Sequence, residues 1–375
     1  MYPSTSPLRP EPAPPPAREK PLLSVVIKAL NEAKNIQATL ESVLEATRGL
    51  NAEVVLADAC SSDATVVLAS AYPVRVVQLI HPQERCCGIG PQLGFEHARG
   101  EFIYLMDGDM QLCPGFMERA LSFLQRHTEV AGVGGRVVEL NHDSFEYRAR
   151  NEQLAPHQRP GAVDRLDGGG LYRRGAIEAV GHFSNRNLHS YEELELALRL
   201  RLAGWTLWRL ADDAVTHRGH EINAYALLLR RWQSGYICGL GELLRASWHT
   251  PDQRRQLLQL KEVRLYAGVL LGWALVLLVA LPPWPLPVKA LLLPLMLAAP
   301  VAAMAWRKRS WQRGLYALVS WNLHAAGLLR GLARRQRPPG EPVASQVLHE
   351  GRASLAPPTP VAVPAEAPAL RSQPA

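Results

Sequence analysis

The sequence predicts an α/β domain, a mainly parallel sheet flanked by helices, followed by a C-terminal transmembrane helical hairpin. Two observations predict this class. From residue 22 onward, short apolar runs rich in β-formers alternate with amphipathic stretches, an order typical of parallel sheets with right-handed crossovers. Two long apolar segments then occupy 264–283 and 286–306. With 375 residues, 47% of them hydrophobic, the chain exceeds what one core of about 250–300 residues normally holds.

The composition divides the chain into four parts. Residues 1–21 and 338–375 are rich in Pro and Ala and bury little, so we expect disordered tails. Residues 22–260 are expected to form the α/β domain and 261–337 a membrane region.

The membrane region is expected to contain two transmembrane helices, at about 265–282 and 287–306. Each apolar segment can just cross a hydrocarbon core about 30 Å thick. Basic residues precede the first span and follow the second, whereas the link between them, PPWPLP, carries no charge. The positive-inside bias therefore predicts that both ends lie on the cytoplasmic side. The alternative is a pair of buried helices in a soluble domain.

Polar residues interrupt the next apolar stretch, 314–332, and arginines follow it. A third crossing would carry those arginines outward, so an interfacial helix is favoured. The formal net charge is +7, with basic residues concentrated beside apolar segments in 307–313 and 330–337. This placement favours anionic lipid over nucleic acid as the partner. Five cysteines without a CxxC pair fit a reducing cytosol. The predicted location is therefore the inner membrane, with the α/β domain in the cytoplasm.

The order of elements at the start of the domain can be assigned from the hydrophobic pattern. We expect a first strand at 22–29, a helix at 32–47, a second strand at 53–57 and a helix at 62–71. The segment GIGPQLG at 88–94 lacks the GxGxxG spacing, so a dehydrogenase-type dinucleotide fold has little support.

Two carboxylates follow the apolar run 102–106. Asp107 and Asp109 are separated only by Gly108, at the carboxyl end of a predicted buried strand, where ligands of open α/β sheets bind. Paired oxygen ligands suit Mg²⁺ or Mn²⁺, which complete their shells with water and substrate phosphate. The alternative is an ordinary Asp-Gly turn.

Polar residues also follow the first two strands. Asn31 and Glu32 lie at a strand-to-helix junction, where they could meet the polar edge of a nucleotide or simply cap the helix. Asp58 ends the second strand and could accept a hydrogen bond from the NH of a uracil or another base. Asp63 fits a helix cap better.

A glycine triplet and an acidic helix start come later in the chain. Glycines 168–170, with Gly169 at the centre, allow the backbone to approach a sugar or phosphate closely. Glu192 and Glu193 then open a helix, where acidic residues also stabilise the macrodipole. Glu195 and Arg199 have the spacing of a surface pair on the same helix.

Taken in order, these segments resemble glycosyltransferase family 2, whose fold is termed GT-A. The resemblance covers about 220 positions, 22–240. Family members usually read VVIPALNE, VDDGSxDGT, a DxD strand, GGG and an ED-x-EL helix. The corresponding segments here read VVIKALNE, LADACSSDAT, LMDGDM, GGGLYRR and YEELEL.

The resemblance implies a role for several residues. Asp58 would contact the nucleoside base, Asp109 would bind the metal, and Asp107 would lie close to the nucleotide or the metal. Glu193 falls at the catalytic base of the ED pair, with Glu192 beside it. A following histidine, His217 or His220, would help to hold metal or diphosphate. In LLLRRW, half of a QxxRW motif, Arg231 could add positive charge at the leaving diphosphate, as could Arg230 or His217.

The resulting functional expectation is an inverting, metal-assisted glycosyltransferase of the hexosyltransferase type. It would move a sugar from a nucleotide diphosphate sugar to a lipid-linked or membrane-proximal glycan acceptor. Inversion is expected because one base lies on the face opposite the leaving group. Two alternatives remain: a degenerate nucleotide-sugar-binding scaffold of a polysaccharide synthesis complex, and a sugar nucleotidyltransferase. Donor hydrolysis by the purified protein separates enzyme from scaffold. The donor sugar, the base and the acceptor do not follow from the sequence.

Overall fold

A computed structural model of the chain describes residues 20–140, 156–218 and 223–351. His220 and most of both expected tails lie outside these ranges.

The N-terminal half consists of alternating strands and helices, as the hydrophobic pattern predicts. In chain order these are β1 (Leu23–Ala29), α1 (Ile36–Ala46), β2 (Ala52–Asp58), α2 (Thr65–Ala69), β3 (Arg75–Leu79), α3 (Ile89–His97), β4 (Phe102–Asp107), β5 (Met110–Leu112), α4 (Phe116–Arg126) and β6 (Val130–Glu139).

The second half adds strands to the same sheet and ends in long helices. Its elements are β7 (Gly161–Val163), β8 (Gly170–Arg173), α5 (Arg174–Ala179), α6 (Glu192–Leu202), β9 (Thr206–His217), α7 (Ala224–Gln233), α8 (Gly239–Ala246), α9 (Pro251–Leu257), α10 (Lys261–Ala280), α11 (Leu286–Lys308), α12 (Trp311–Ala333) and β10 (Ser345–Glu350). Short 3-10 helices lie at Pro82–Glu84, Pro156–Gln158 and Tyr236–Cys238.

All ten described strands form one mixed sheet. The main path is β10-β3-β2-β1-β4-β8-β6-β9-β5, and β7 pairs with β9 outside it. Strands β3, β2, β1 and β4 are parallel to one another, whereas β8, β5, β7 and β10 each pair antiparallel with a neighbour. The predicted α/β class is therefore confirmed, and the sheet is more mixed than expected.

Both faces of the sheet are covered by apolar side chains. Val25 and Ile27 of β1 belong to one cluster, whereas Val26 belongs to another on the opposite face, as the period of two in a strand requires. The GIGPQLG segment is explained by this packing. It forms α3, and a Cβ at Gly94 would collide with the side chain of Val26, so the glycine lets the helix lie close against β1.

The first predicted helix begins four residues later than expected. Asn31 has a φ of 60°, and the NH of Ala33 donates to Asp63 Oδ2 at 3.0 Å. The chain from Asn31 to Asn35 is therefore a turn tied to the neighbouring loop, and α1 starts at Ile36. Asp63 also accepts from the NH of Thr65 at 3.0 Å. The N-cap of α2 is Ala64, without a side-chain cap hydrogen bond, so Asp63 closes the turn before the helix and does not cap it as predicted.

Helices α10 and α11 are long and apolar enough to cross a membrane by length and composition. They are largely exposed in the protein alone, which is compatible with membrane attachment. The first turns of α10 pack differently, because Val263 and Tyr266 share a buried cluster with Ala325 and Leu328 of α12 and with leucines of α6 and α8. The predicted boundary at residue 260 therefore does not separate two cores.

The expectation of a disordered tail is corrected for residues 338–351. Strand β10 pairs antiparallel with β3, and Val343, 4% exposed, packs against the cluster that contains Ile89 and Leu93. Without β10, β3 would be an edge strand with unpaired backbone groups. The Pro-rich composition predicted disorder in this segment. Composition alone cannot reveal that a segment pairs with a strand far away in the chain.

We predict that Gly169→Ala destabilises the fold. Gly169 has a φ of +98°, and a Cβ there would lie 2.5 Å from the carbonyl oxygen of Leu105. The substitution should lower the free energy of unfolding by about 2 kcal/mol or more, measured by denaturant unfolding in detergent. Gly175→Ala is the matched control, because nothing lies within 4 Å of the Cβ position at Gly175. Equal stability of the two variants would contradict the packing argument.

Candidate active site

The polar residues predicted from four separate segments meet at the carboxyl ends of β1, β2 and β4. The register of the parallel strands pairs Ala29 with Asp58 and Lys28 with Asp107. Strand β4 therefore ends with Asp107 level with the end of β1. This is the edge where ligands of parallel sheets bind.

Asp109, Glu139 and His217 form a second group beside this edge. His217 ends β9 and is paired in register with Met110 of β5 and Glu139 of β6. Its Nε2 lies 3.2 Å from Asp109 Oδ2 and its Nδ1 lies 2.8 Å from Glu139 Oε2. The imidazole thus stands between two carboxylates. Burial alone would lower the pKa of His217, but hydrogen bonds to Asp109 and Glu139 raise it to about 10.

The donor set allows a test of whether a divalent cation fits. Asp109 Oδ1 is buried without a hydrogen bond partner, so one acceptor oxygen is left for a ligand. Within the part of the chain that the structure describes, no three His, Cys, Asp or Glu side chains form a metal-binding group. Asp109 therefore fits a cation that takes most of its shell from water and phosphate, as Mg²⁺ usually does.

Lys28 is a central residue that the sequence analysis did not single out. Its Nζ lies 3.0 Å from Asp107 Oδ1 and 3.3 Å from Glu192 Oε1. Burial alone would lower the pKa of Lys28, but Asp107, Glu192 and Glu193 raise it well above its ordinary value. The only signal in the sequence is that lysine replaces the proline of the VVIPALNE pattern.

Glu192 and Glu193 open α6, as predicted, and have different environments. Tyr191, which precedes the helix, has a φ of 69°. Glu192 is 6% exposed and paired with Lys28, whereas Glu193 is partly exposed and has neither a hydrogen bond nor an ion pair within the described residues. Burial and the adjacent Glu192 raise the pKa of Glu193, and Lys28 opposes this shift.

Asn31 and Glu32 lie in the loop after β1. The Asn31 NH donates to Ser61 Oγ at 2.8 Å, and Asn31 Oδ1 accepts from the Ser62 NH at 2.8 Å. Asn31 thus connects the loop after β1 to the loop after β2. Glu32 faces the Asp pair, and the pKa of its carboxyl is raised to about 7, by burial first and then by Asp109 and Asp107, against a hydrogen bond from Asn35.

Asp58 ends β2 as predicted but is fully buried. Its Oδ2 accepts from the NH of Ser61 and from Gln78 Nε2, both at 2.9 Å, while Oδ1 has no partner. A base could contact this carboxylate only after the residues that bury it had moved.

Gly169 and Arg231 approach the site from two other elements. The carbonyl oxygen of Leu105 lies where a Cβ of Gly169 would point, so close approach at this glycine is to protein backbone. The Arg231 guanidinium lies 5.3 Å from the ring centroid of Tyr236. Ser190 Oγ donates to the carbonyl oxygen of Tyr236 at 2.8 Å, which places this pair next to the start of α6. Glu195 and Arg199 form a buried ion pair at 2.7 Å rather than the expected surface pair.

The family comparison agrees with the sequence motifs. Residues 24–181 match the family described as Glycosyl transferase family 2, so this part of the chain is a glycosyl transferase family 2 domain. The match includes β1, β2, β4 and the glycine triplet, and it ends before α6.

Parts of the chain are similar in sequence to two proteins from other organisms. Dolichol-phosphate mannosyltransferase from Pyrococcus furiosus is 30% identical over 121 residues, which cover 31% of this chain and 34% of that protein. The succinoglycan biosynthesis protein ExoO from Rhizobium meliloti is 38% identical over 137 residues, which cover 36% of this chain and 38% of that protein. The matched regions thus span about a third of each relative.

A solved structure has the same fold. The mannosyltransferase PcManGT from Pyrobaculum calidifontis, in complex with GDP-Man and Mn²⁺, superposes with a TM-score of 0.53. At 19% identity the alignment covers 84% of this chain and 88% of that one. The expected GT-A type of fold is thereby confirmed.

We predict that Lys28→Met destabilises the protein in a pH-dependent way. Its removal leaves Asp107 and Glu192 close together without a cation. The free energy of unfolding should fall by about 1–3 kcal/mol at neutral pH, less than for a fully buried pair because Asp107 is partly exposed. The loss should shrink as pH falls, because protonation removes the repulsion. Denaturant unfolding at several pH values measures this.

Lys34→Met is the matched control, because Lys34 is exposed, and Lys28→Arg should retain most of the stability. A loss for Lys28→Met no larger than that for Lys34→Met would show that the two ion pairs contribute nothing.

Proposed function

We propose that this protein is an inverting glycosyltransferase that uses a nucleotide diphosphate sugar. The observation that carries the proposal is the pairing of Lys28 with both Asp107 and Glu192. This pairing brings the start of α6, with Glu193, to the end of β4, where Asp107 and Asp109 lie. Sugar transfer requires positive charge at the leaving diphosphate and a base for the acceptor hydroxyl. The Asp pair could supply the first through a bound cation, and Glu193 could supply the second.

Glu193 is proposed as the general base. It lies at the start of α6 and has no hydrogen bond or ion pair within the described ranges, so its carboxylate is free to accept a proton from an acceptor hydroxyl. Its raised pKa strengthens it as a base but leaves a larger protonated fraction at neutral pH. Lys28 limits this rise, and further positive charge in the site would lower the pKa of Glu193 again.

Glu192 is proposed to position rather than to react. Its carboxylate is fixed by Lys28, and on a helix successive side chains point about 100° apart. Glu192 and Glu193 therefore cannot face the same atom. The pair Lys28–Glu192 also fixes the start of α6 relative to β1, and hence the direction of Glu193.

Asp109 and Asp107 are proposed to hold a divalent cation, Mg²⁺ or Mn²⁺, with His217 beside them. When bound, such a cation offsets the negative charge that develops on the leaving diphosphate. Arg231 is proposed to approach the same diphosphate from α7. Asp58, Asn31, Glu32 and Gly169 are proposed to shape the pocket for the nucleoside.

The acceptor is proposed to be lipid-linked or a glycan near the membrane, on the cytoplasmic face. The support is the direct packing of α12 and the start of α10 on the helices beside the site.

The donor follows less directly. Because one relative is a mannosyltransferase by name, GDP-mannose is the first donor to test, followed by UDP sugars.

A donor screen tests the proposed function. Full-length protein in detergent is heated with each nucleotide sugar and Mn²⁺, and donors that raise the melting temperature are tested for hydrolysis and for transfer to a lipid extract. Transfer supports the proposal. Stabilisation without either reaction would instead indicate a nucleotide-sugar-binding scaffold.

We predict that Asp109→Asn abolishes transfer without unfolding the protein. The substitution removes one charge at the proposed cation site without changing the side-chain volume. Mn²⁺ should then no longer add to the thermal stability that the donor gives. Asp252→Asn, at an exposed position on α9, is the control. Wild-type activity of Asp109→Asn in EDTA-treated buffer would contradict the proposed cation site.

We predict that Glu193→Gln lowers the transfer rate by about 10²–10⁴-fold relative to the wild type, the usual range for loss of a general base. The donor affinity should stay within a few-fold of the wild-type value. Glu193→Asp should retain part of the activity. Glu192→Gln should remain partly active, and its rate should persist to lower pH, because removal of the like charge lowers the pKa of Glu193. The pH dependence of kcat/KM measures this. If Glu192→Gln is the inactive variant, the assignment is reversed.

We predict that two arginines in α10 weaken membrane attachment. Leu271 and Leu275 are exposed in the protein alone, at 62% and 46%. Each Leu→Arg change in a span costs about 3 kcal/mol or more. The double variant should be extracted by alkaline carbonate, whereas the wild type should stay in the membrane fraction. Leu202→Arg, also at an exposed leucine, is the control. A wild type released by carbonate would contradict the hairpin.

A further inference from the structure

A polar cavity lies beside the active site, between the α/β domain and the segment that follows α12. Its volume is about 240 Å³. Residues from four parts of the chain line it: Gln83, Glu84, Arg85 and Cys86 after β3; Arg186, Asn187 and His189 before α6; Glu242 of α8; and Arg334, Arg335, Gln336 and Arg337 after α12. The wall after α12 lies outside the matched family domain, residues 24–181.

Specific hydrogen bonds fix the wall that follows α12. The Arg337 NH donates to Asn187 Oδ1 at 2.9 Å, and Gln336 Nε2 donates to the carbonyl oxygen of Glu242 at 2.7 Å. Arg186 Nη1 donates to the carbonyl oxygens of Glu341 and Pro342, both at 2.8 Å. The segment that follows α12 is therefore anchored to the other walls of the cavity.

The charge in the cavity is strongly positive. Five arginines and two glutamates line it, an excess of three positive charges without His189. Glu84 pairs with Arg186 and Arg337. Glu242 pairs with His189 and Arg334, each at 2.9 Å. Burial alone would raise the pKa of Glu242, but His189 and Arg334 lower it. Both glutamates are occupied by these ion-pair partners.

Two arginines retain unused donors. Arg335 is exposed and makes no hydrogen bond or ion pair within the described residues. Arg85 donates to the carbonyl oxygen of Cys60, but its Nε is buried without an acceptor. A buried guanidinium donor without a partner is costly. The cavity thus combines excess positive charge with donors that lack acceptors, which is the complement of an anion.

We infer that this cavity is a binding site for a phosphate-bearing group, a diphosphate or a phosphate monoester, separate from the proposed donor site. Guanidinium groups bind phosphate oxygens in a bidentate manner. The volume is below the about 300–1,000 Å³ of pockets that enclose a drug-sized ligand, so it suits a headgroup rather than a whole nucleotide sugar.

The site lies at the C-terminal end of α12, which packs on the same helices as α10. The phosphate can therefore come from a lipid headgroup or from a soluble compound, and the chemistry of recognition is the same for both.

Titration calorimetry with inorganic diphosphate tests the inference. Full-length protein in uncharged detergent, low salt and EDTA should bind diphosphate. Arg335→Glu should weaken this binding by about tenfold or more, because a donor in the cavity becomes a like charge for the ligand. The matched control is Arg255→Glu, at an exposed arginine of α9. It changes the net charge equally and should alter the affinity by no more than about twofold.

The source of the phosphate is tested by competition. If phosphatidic acid in the micelle weakens diphosphate binding and phosphatidylcholine does not, the site accepts a lipid headgroup. If neither competes, the site takes a soluble phosphate compound, and the inference still holds. No diphosphate binding by the wild type, or equal losses in Arg335→Glu and Arg255→Glu, would show that these arginines only anchor the C-terminal segment. Neither donor nor acceptor is present, so the result is independent of the proposed transferase activity.

Discussion

The contact of one partly buried ammonium group with two carboxylates is the interaction on which the site depends. Lys28 Nζ joins the end of β4 through Asp107 and the start of α6 through Glu192. These residues are far apart in the chain, so the contact fixes the proposed base relative to the Asp pair. The Lys28 ammonium also limits how far the pKa of Glu193 rises, because it offsets the repulsion between acidic groups that burial strengthens.

The position of Lys28 in turn depends on close packing beneath the sheet. A Cβ at Gly90 of α3 would lie 2.9 Å from Lys28 Cβ, so only glycine lets the helix support this part of β1. On the other side, the strand that follows the glycine triplet pairs with β4. The glycines therefore act through protein packing, which brings three polar loops to one edge.

The chain beyond the matched family domain adds two features to this framework. Helix α12 shares a buried cluster with α6, whose first turn holds Glu192 and Glu193. The following segment lines the arginine-rich cavity and then completes the sheet as β10. The first turns of α10, α12 and the candidate active site are thus parts of one packed unit, because the same apolar cluster contains residues from α6, α10 and α12.

The sequence by itself determined the alternation of strands and helices at the start of the domain, the Asp pair at the end of β4, the helix that begins at Glu192 and the two apolar helices. Each follows from local periodicity or from a short motif. The tertiary structure alone decided the roles of Lys28 and Glu139, the burial of Asp58 and of the Glu195–Arg199 pair, and the pairing of β10. These depend on strand register and on contacts between distant segments, which local hydrophobic patterns do not encode.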